Sequence, residues 1–298
     1  MALPEVGRIG DPPLGVRQPE PIILPDRASL FARRGERLLT LADGHVMADW
    51  LRFMARIALA QHEAMAAITV ASTTIESSVA APPLAPATHR RHPVWRDVLA
   101  GLLQISRDFP LPDQAACVVA TLRQADDDSL EALAQAYLAG DCPLAGEALF
   151  IAASLQVYFT GLAASLEASK LHLQPQRGLC PGCGSAAVAG VITAAGKSPG
   201  ARYLHCGLCA TAWNHVRAVC INCGESRALA LHEIDGGNGL VKAETCDACH
   251  GYAKMMYQAA DMQVEPVADD LASFALDIMI GEAGWSRHAA NPLVIAAA

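Results

Sequence analysis

Four short stretches decide the reading of this chain: Cys180-Pro-Gly-Cys183, Cys206-Gly-Leu-Cys209, Cys220-Ile-Asn-Cys223 and Cys246-Asp-Ala-Cys249. Pairs one and two form C-x2-C-x22-C-x2-C, as do pairs three and four, and the second set lies 40 residues after the first at every position. Identical internal spacing points to duplication of one structural unit, so each unit has its own four thiols. Two cysteines three apart curl the backbone around one ion, and a hairpin of about 20 residues delivers a second such knuckle to complete a tetrahedral sulfur site. Gly184 and Gly224 follow the closing cysteine of the first knuckle in each unit, where a positive φ is expected. The ligand sets are therefore Cys180, Cys183, Cys206 and Cys209 for site 1, and Cys220, Cys223, Cys246 and Cys249 for site 2. Four thiolates accept Zn(II) and mononuclear iron alike. His205 and His250 adjoin ligand cysteines whose sites are already full, and read as supporting or surface groups.

Outward from the cysteines, glycines punctuate short runs at 188–193, 202–205, 211–219, 228–234 and 239–243, read as short antiparallel strands. A closing helix is expected over 268–280, with Asp269 and Asp270 as caps in its first turn. Towards the N-terminus the pattern is helical. Helices are expected from Leu30 to near Asp43-Gly44, from Met47 to the early seventies, and at 94–107, 114–124 and 129–139. The third of these short helices is opened by Asp126-Asp127-Asp128-Ser129. Four prolines between 80 and 93 demand a loop, and residues 1–26, with six prolines, read as an extended arm. Residues 148–166 carry no charge and just reach membrane-spanning length, but Ser154, Gln156, Thr160 and acidic flanks favour a buried central helix, without membrane insertion. Cys117 and Cys142 stand alone and read as small core residues.

The 298 residues carry 52% hydrophobic and 17% charged side chains, which excludes a disordered chain. Net charge is −8, distributed as −6 over 1–169, +5 over 170–227 and −7 over 228–298. An acidic chain is a poor general binder of nucleic acid, and Tyr203 and Trp213 are too few for a stacking platform. The basic middle segment offers Lys170, Arg177, Lys197, Arg202, Arg217 and Arg227 to an acidic partner surface. The first residues lack a basic stretch followed by an apolar core, so no export signal is expected and the cysteines read as thiols or metal ligands. Phosphate-binding, serine-hydrolase and H-E-x-x-H motifs are absent, so no catalytic residue is assigned.

With these residues in place, the chain resembles the FdhE family of formate dehydrogenase accessory proteins. The likeness lies in Cys180-Pro-Gly-Cys183-Gly184-Ser185, Arg202-Tyr-Leu-His-Cys206, Trp213, Val216-Arg217, Cys220-Ile-Asn-Cys223, Ala243-Glu-Thr-Cys-Asp247, Tyr252-Ala-Lys254, 267–273 and Asn291-Pro292. It covers about 120 C-terminal residues; Ala212 and Ala253 depart from it where an acid and a larger aliphatic residue are expected. The resemblance implies a non-catalytic cytoplasmic maturation factor that binds the molybdenum-containing catalytic subunit of respiratory formate dehydrogenase before export. It also implies rubredoxin-like iron sites, which favours iron over zinc.

The expected fold is thus α+β and multidomain: an extended Pro-rich arm (1–26), an all-α domain (27–173), a first rubredoxin-like, zinc-ribbon-like β module (174–215), and a second module with a C-terminal helix (216–298). Two alternative functions stand beside the accessory role: an iron redox protein for electron delivery or oxygen sensing, and a zinc-ribbon nucleic-acid binder. Self-association is left open.

Overall fold

A computed structural model describes residues 18–68, 81–104, 111–141 and 145–294. The helical part contains α1 (Leu30–Ala42), α2 (Ala48–Ala67), α3 (Val94–Leu102), α4 (Asp113–Gln124), α5 (Asp127–Ala139) and α6 (Ala145–Ala164). α5 starts where the acidic cluster placed it: the Asp126 carboxylate accepts the Ser129 N–H at 2.8 Å, and Gly140 closes the helix at φ 81°. α6 is apolar on every side and every residue from 149 to 163 is buried, as a core helix requires. α2, α3, α4 and α5 all pack against it. Two of its polar side chains are paired inside the protein: Ser154 Oγ donates to Phe150 O at 2.6 Å, and Gln156 Oε1 accepts from Gln61 Nε2 of α2, which also donates to Ala153 O, both at 2.9 Å.

The second half is one sheet built from β1 (Ile22–Ile23), β2 (Ala187–Ile192), β3 (Arg202–Cys206), β4 (Ala212–His215), β5 (Leu229–His232), β6 (Val241–Cys246), β7 (Gly251–Tyr257) and β8 (Ser286–Arg287). The strand order is β1-β4-β3-β2-β7-β6-β5, with β8 on the other end of β7. The 40-residue repeat is visible in that order, since β4-β3-β2 and β7-β6-β5 are the same meander laid down twice, head to tail. Two expectations need correction here. Strands within each copy are antiparallel, but the seam is parallel, pairing Gly190, Val191 and Ile192 with Met255, Met256 and Tyr257. The arm is also not merely extended: Ile22 and Ile23 pair with Trp213 and Ala212, covering the β4 edge. β7 escapes pattern reading because six of its seven residues are buried, leaving no alternation.

The closing helix is broken at Ser273 into α7 (Pro266–Ala272) and α8 (Phe274–Glu282). Glu265, rather than Asp269 or Asp270, caps α7, accepting the Val267 and Ala268 N–H groups at 3.1 and 2.7 Å. Both aspartates are buried ion-pair partners, and Asp269, in the first turn as expected, also accepts the Glu265 N–H at 2.7 Å. Asp269 receives Arg37 of α1 through Nε at 3.0 Å and Nη2 at 2.6 Å. Asp270 meets Lys254 of β7 at 3.4 Å, together with Arg287 and the Asn291 amide. Adjacent residues on one short helix thus hold the helical half on one side and the sheet on the other. Cys117 also departs from expectation, being exposed on α4, while Cys142 lies outside the described residues.

Candidate metal centres

Each knuckle is made by the same local backbone. In the first of each copy, Gly184 N–H donates to Cys180 O at 2.9 Å and Gly224 N–H to Cys220 O at 3.0 Å. The residue after every closing cysteine has positive φ: Gly184 79°, Ala210 57°, Gly224 80° and His250 52°. Glycine takes that conformation freely, whereas Ala210 and His250 adopt it at a steric cost of about 1–2 kcal/mol.

The structure brings together all eight cysteines in the two predicted sets, with the four sulfurs of each set within 4.8 Å of one another. In site 1, Cys180 and Cys209 Sγ lie 3.5 Å apart and Cys183 and Cys206 Sγ 3.4 Å apart. The matching separations in site 2 are 3.8 Å for Cys220–Cys249 and 3.7 Å for Cys223–Cys246. A tetrahedral ion with metal–sulfur bonds near 2.3 Å requires sulfurs about 3.8 Å apart, so both sets could hold one. Backbone N–H groups already face the sulfurs: Gly182 N–H points at Cys180 Sγ (3.3 Å), and Leu208 and Cys209 N–H at Cys206 Sγ (both 3.4 Å). In site 2, Asn222 Nδ2 donates to Cys249 Sγ at 3.5 Å. Burial raises the Cys180 and Cys206 thiols well above the usual thiol range and pushes Cys220 up to about 12. A cation opposes that burial effect and stabilises the thiolates.

The two sites differ in exposure. All four site 1 cysteines are buried, whereas Cys223 is exposed and Cys249 half-buried. The helical half makes the difference. Gln156 Nε2 of α6 donates to Gly207 O inside the second knuckle at 2.6 Å, and Leu84 N–H donates to Gly182 O inside the first at 2.9 Å. Site 2 has no counterpart of this cover among the described residues.

The flanking candidates fall out unequally. His250 is exposed, while His205 is half-buried and burial lowers its pKa to about 4. Of the basic residues, Lys170, Arg177, Lys197, Arg217 and Arg227 are exposed. Lys170 pairs with Glu167 and Lys197 with Glu20. Arg202 does not belong to that face. Its side chain is 1% exposed, salt-bridged to Glu244 at 2.8 Å and bonded to the carbonyl of Val219, next to Cys220. Tyr203 and Trp213 are buried, so neither can stack on a base. Sequence reading missed Arg34 and Arg37, because buried arginines in an amphipathic helix look like its wet face until their carboxylates, more than 220 residues away, are located.

Family models for the FdhE N-terminal, central and C-terminal domains match residues 19–175, 179–217 and 218–294 respectively. The chain is 39% identical to the protein FdhE homolog of Edwardsiella ictaluri, covering 92% of this chain and 91% of that protein. It is 38% identical to the homolog of Pseudomonas aeruginosa, over 89% and 90%. The crystal structure of the FdhE protein from Pseudomonas aeruginosa superposes with a TM-score of 0.83 at 35% identity, covering 92% of this chain and 98% of that one. Knuckle spacing, doubled meander, helical cover and these matches lead to one assignment: the chain belongs to the FdhE family.

Proposed function

We propose that this chain is a non-catalytic, cytoplasmic accessory factor for respiratory formate dehydrogenase, holding its molybdenum-containing catalytic subunit before export. In this reading Cys180, Cys183, Cys206 and Cys209 bind one mononuclear ion, and Cys220, Cys223, Cys246 and Cys249 a second, iron in preference to zinc. The chain divides into an arm (1–26), a helical domain (27–173) and two rubredoxin-like modules (174–215 and 216–298), and Arg177, Lys197, Arg217 and Arg227 contribute to the client face.

The observation that carries the reading is the pair of complete four-sulfur cages in a member of the FdhE family. Four protein sulfurs leave no open position on an ion, so neither site suits Lewis-acid chemistry on a substrate. When bound, the ions supply cross-links that two small β units need for folding. The exposure of Cys223 favours one further reading, in which a site 2 iron exchanges electrons with a partner.

The test is capture of the formate dehydrogenase catalytic subunit by the full chain, lost on Cys223→Ser, with metal analysis and an absorption spectrum on anaerobically purified protein. Unaltered formate dehydrogenase activity in a strain lacking this protein would overturn the accessory role. Zinc in both cages would overturn the preference for iron and remove the electron-transfer reading.

A further inference from the structure

A cavity of about 670 Å³ opens between α1 and the β2–β3 face of the sheet. Its walls are largely apolar, with Ile23, Leu24, Leu30, Val191 and Val264 among them. Three arginines of α1, Arg33, Arg34 and Arg37, also line it.

Arg34 is 2% exposed and Arg37, one turn later, is 7% exposed. Arg37 is fully used: Nε and Nη2 bind Asp269, and Nη1 binds Asp261 at 2.7 Å. Arg34 repeats half of that arrangement. Its Nε and Nη2 bind Glu265 Oε1 at 3.1 and 3.0 Å, while its buried Nη1 has no hydrogen-bond partner among the described residues. Glu265 cannot turn to serve it, because Oε2 caps α7. Asp26 is held by Ala28 N–H and Ser29 Oγ, and Glu36 is exposed. The Arg33 guanidinium is exposed and makes no side-chain hydrogen bond or ion pair among the described residues; its charge acts on Asp26 only through space. No described residue does for Arg34 Nη1 what Asp261 does for Arg37 Nη1, and the exposed Arg33 guanidinium and an apolar wall lie beside it. A buried donor of this kind calls for an acceptor, and guanidinium favours carboxylate.

We propose that this cavity binds an organic carboxylate carried on an apolar body, with the carboxylate on Arg34 Nη1 and Arg33 and the body against the aliphatic wall. Two sources share that chemistry: a free aliphatic acid, and a polypeptide end or acidic residue with aliphatic neighbours. Calorimetric titration of the full, metal-loaded chain distinguishes them, using hexanoate against hexanamide, and acetyl-Leu-Val-Leu with a free carboxylate against its amide. The carboxylate form of at least one pair is expected to bind at least tenfold tighter than its amide. Preference within the hexanoate pair alone assigns a free acid, and within the peptide pair alone a polypeptide. Arg33→Gln, at an exposed side chain, is expected to weaken the carboxylate at least threefold and leave the amide unchanged. Arg34→Lys, which keeps the charge opposite Glu265 and removes Nη1, is expected to abolish the preference. Equal binding of acid and amide in both pairs, or a preference untouched by Arg33→Gln, would overturn the proposal.

Discussion

Replacing Arg37 by methionine tests how the two halves are joined. Methionine preserves most of the side-chain volume but removes the guanidinium from Asp269, whose side chain is 1% exposed. That carboxylate would retain one donor, the Glu265 N–H at 2.7 Å. Breaking a buried pair from one side costs about 3–5 kcal/mol, because the remaining charge stays desolvated. At 1.4 kcal/mol per decade, this is roughly two to three and a half powers of ten in the unfolding equilibrium. The double variant Arg37→Met/Asp269→Asn removes both charges and is expected to recover most of the loss. Urea unfolding of the metal-loaded chain, followed by far-ultraviolet circular dichroism and tryptophan fluorescence, measures both. A single-variant loss below about 1 kcal/mol, or a double variant no better than the sum of the singles, would refute this account of the join.

With a chelator present, iodoacetamide should label Cys223 and Cys249 before any site 1 cysteine; peptide mass spectrometry giving equal rates would contradict the shielding by α6 and Leu84. Gly178→Ala would place a Cβ 2.1 Å from Ile221 O, inside the third knuckle, and is expected to cost about 1–3 kcal/mol and loosen metal at site 2 first. Metal content and urea midpoint, both unchanged, would refute it. Acid should weaken the α7 join. Burial raises the Asp270 carboxyl, but Lys254 and Arg287 outweigh it and hold it below its ordinary 3.8. Its contribution is therefore present above that value and lost as pH falls through the folded pKa. Urea midpoints across the acid range should fall less steeply for Asp270→Asn than for the parent chain, and parallel slopes would refute the assignment.

The two four-sulfur clusters were legible because gathering four thiols is a local problem: spacing alone assigns four cysteines to each cluster, and duplication repeats the assignment. Helices α1, α5 and α6 were legible for a similar reason, being written respectively in apolar periodicity, in the Asp126 cap and in the uncharged run 148–166. The unequal exposure of the sites was hidden, because it depends on Gln156 reaching Gly207 across 51 positions. The parallel seam was hidden too, since β2 is buried throughout and β7 at six of seven residues, so neither alternates, and they lie about 60 residues apart. Asp269 and Asp270 misled in an instructive way. Acids at a helix start are ordinarily caps, and only the buried Arg37, Lys254 and Arg287 reveal another use.

That acidic dipeptide has a mechanical consequence. Consecutive side chains on a helix diverge by about 100°, which lets two neighbours grip opposite layers. It also means the layers cannot drift past each other gradually. Turning α7 by a single position would carry both carboxylates away from their cations at once, stranding two negative charges in a dry interior. The helical and sheet layers are consequently either latched in one register or fully parted, with no stable halfway setting between.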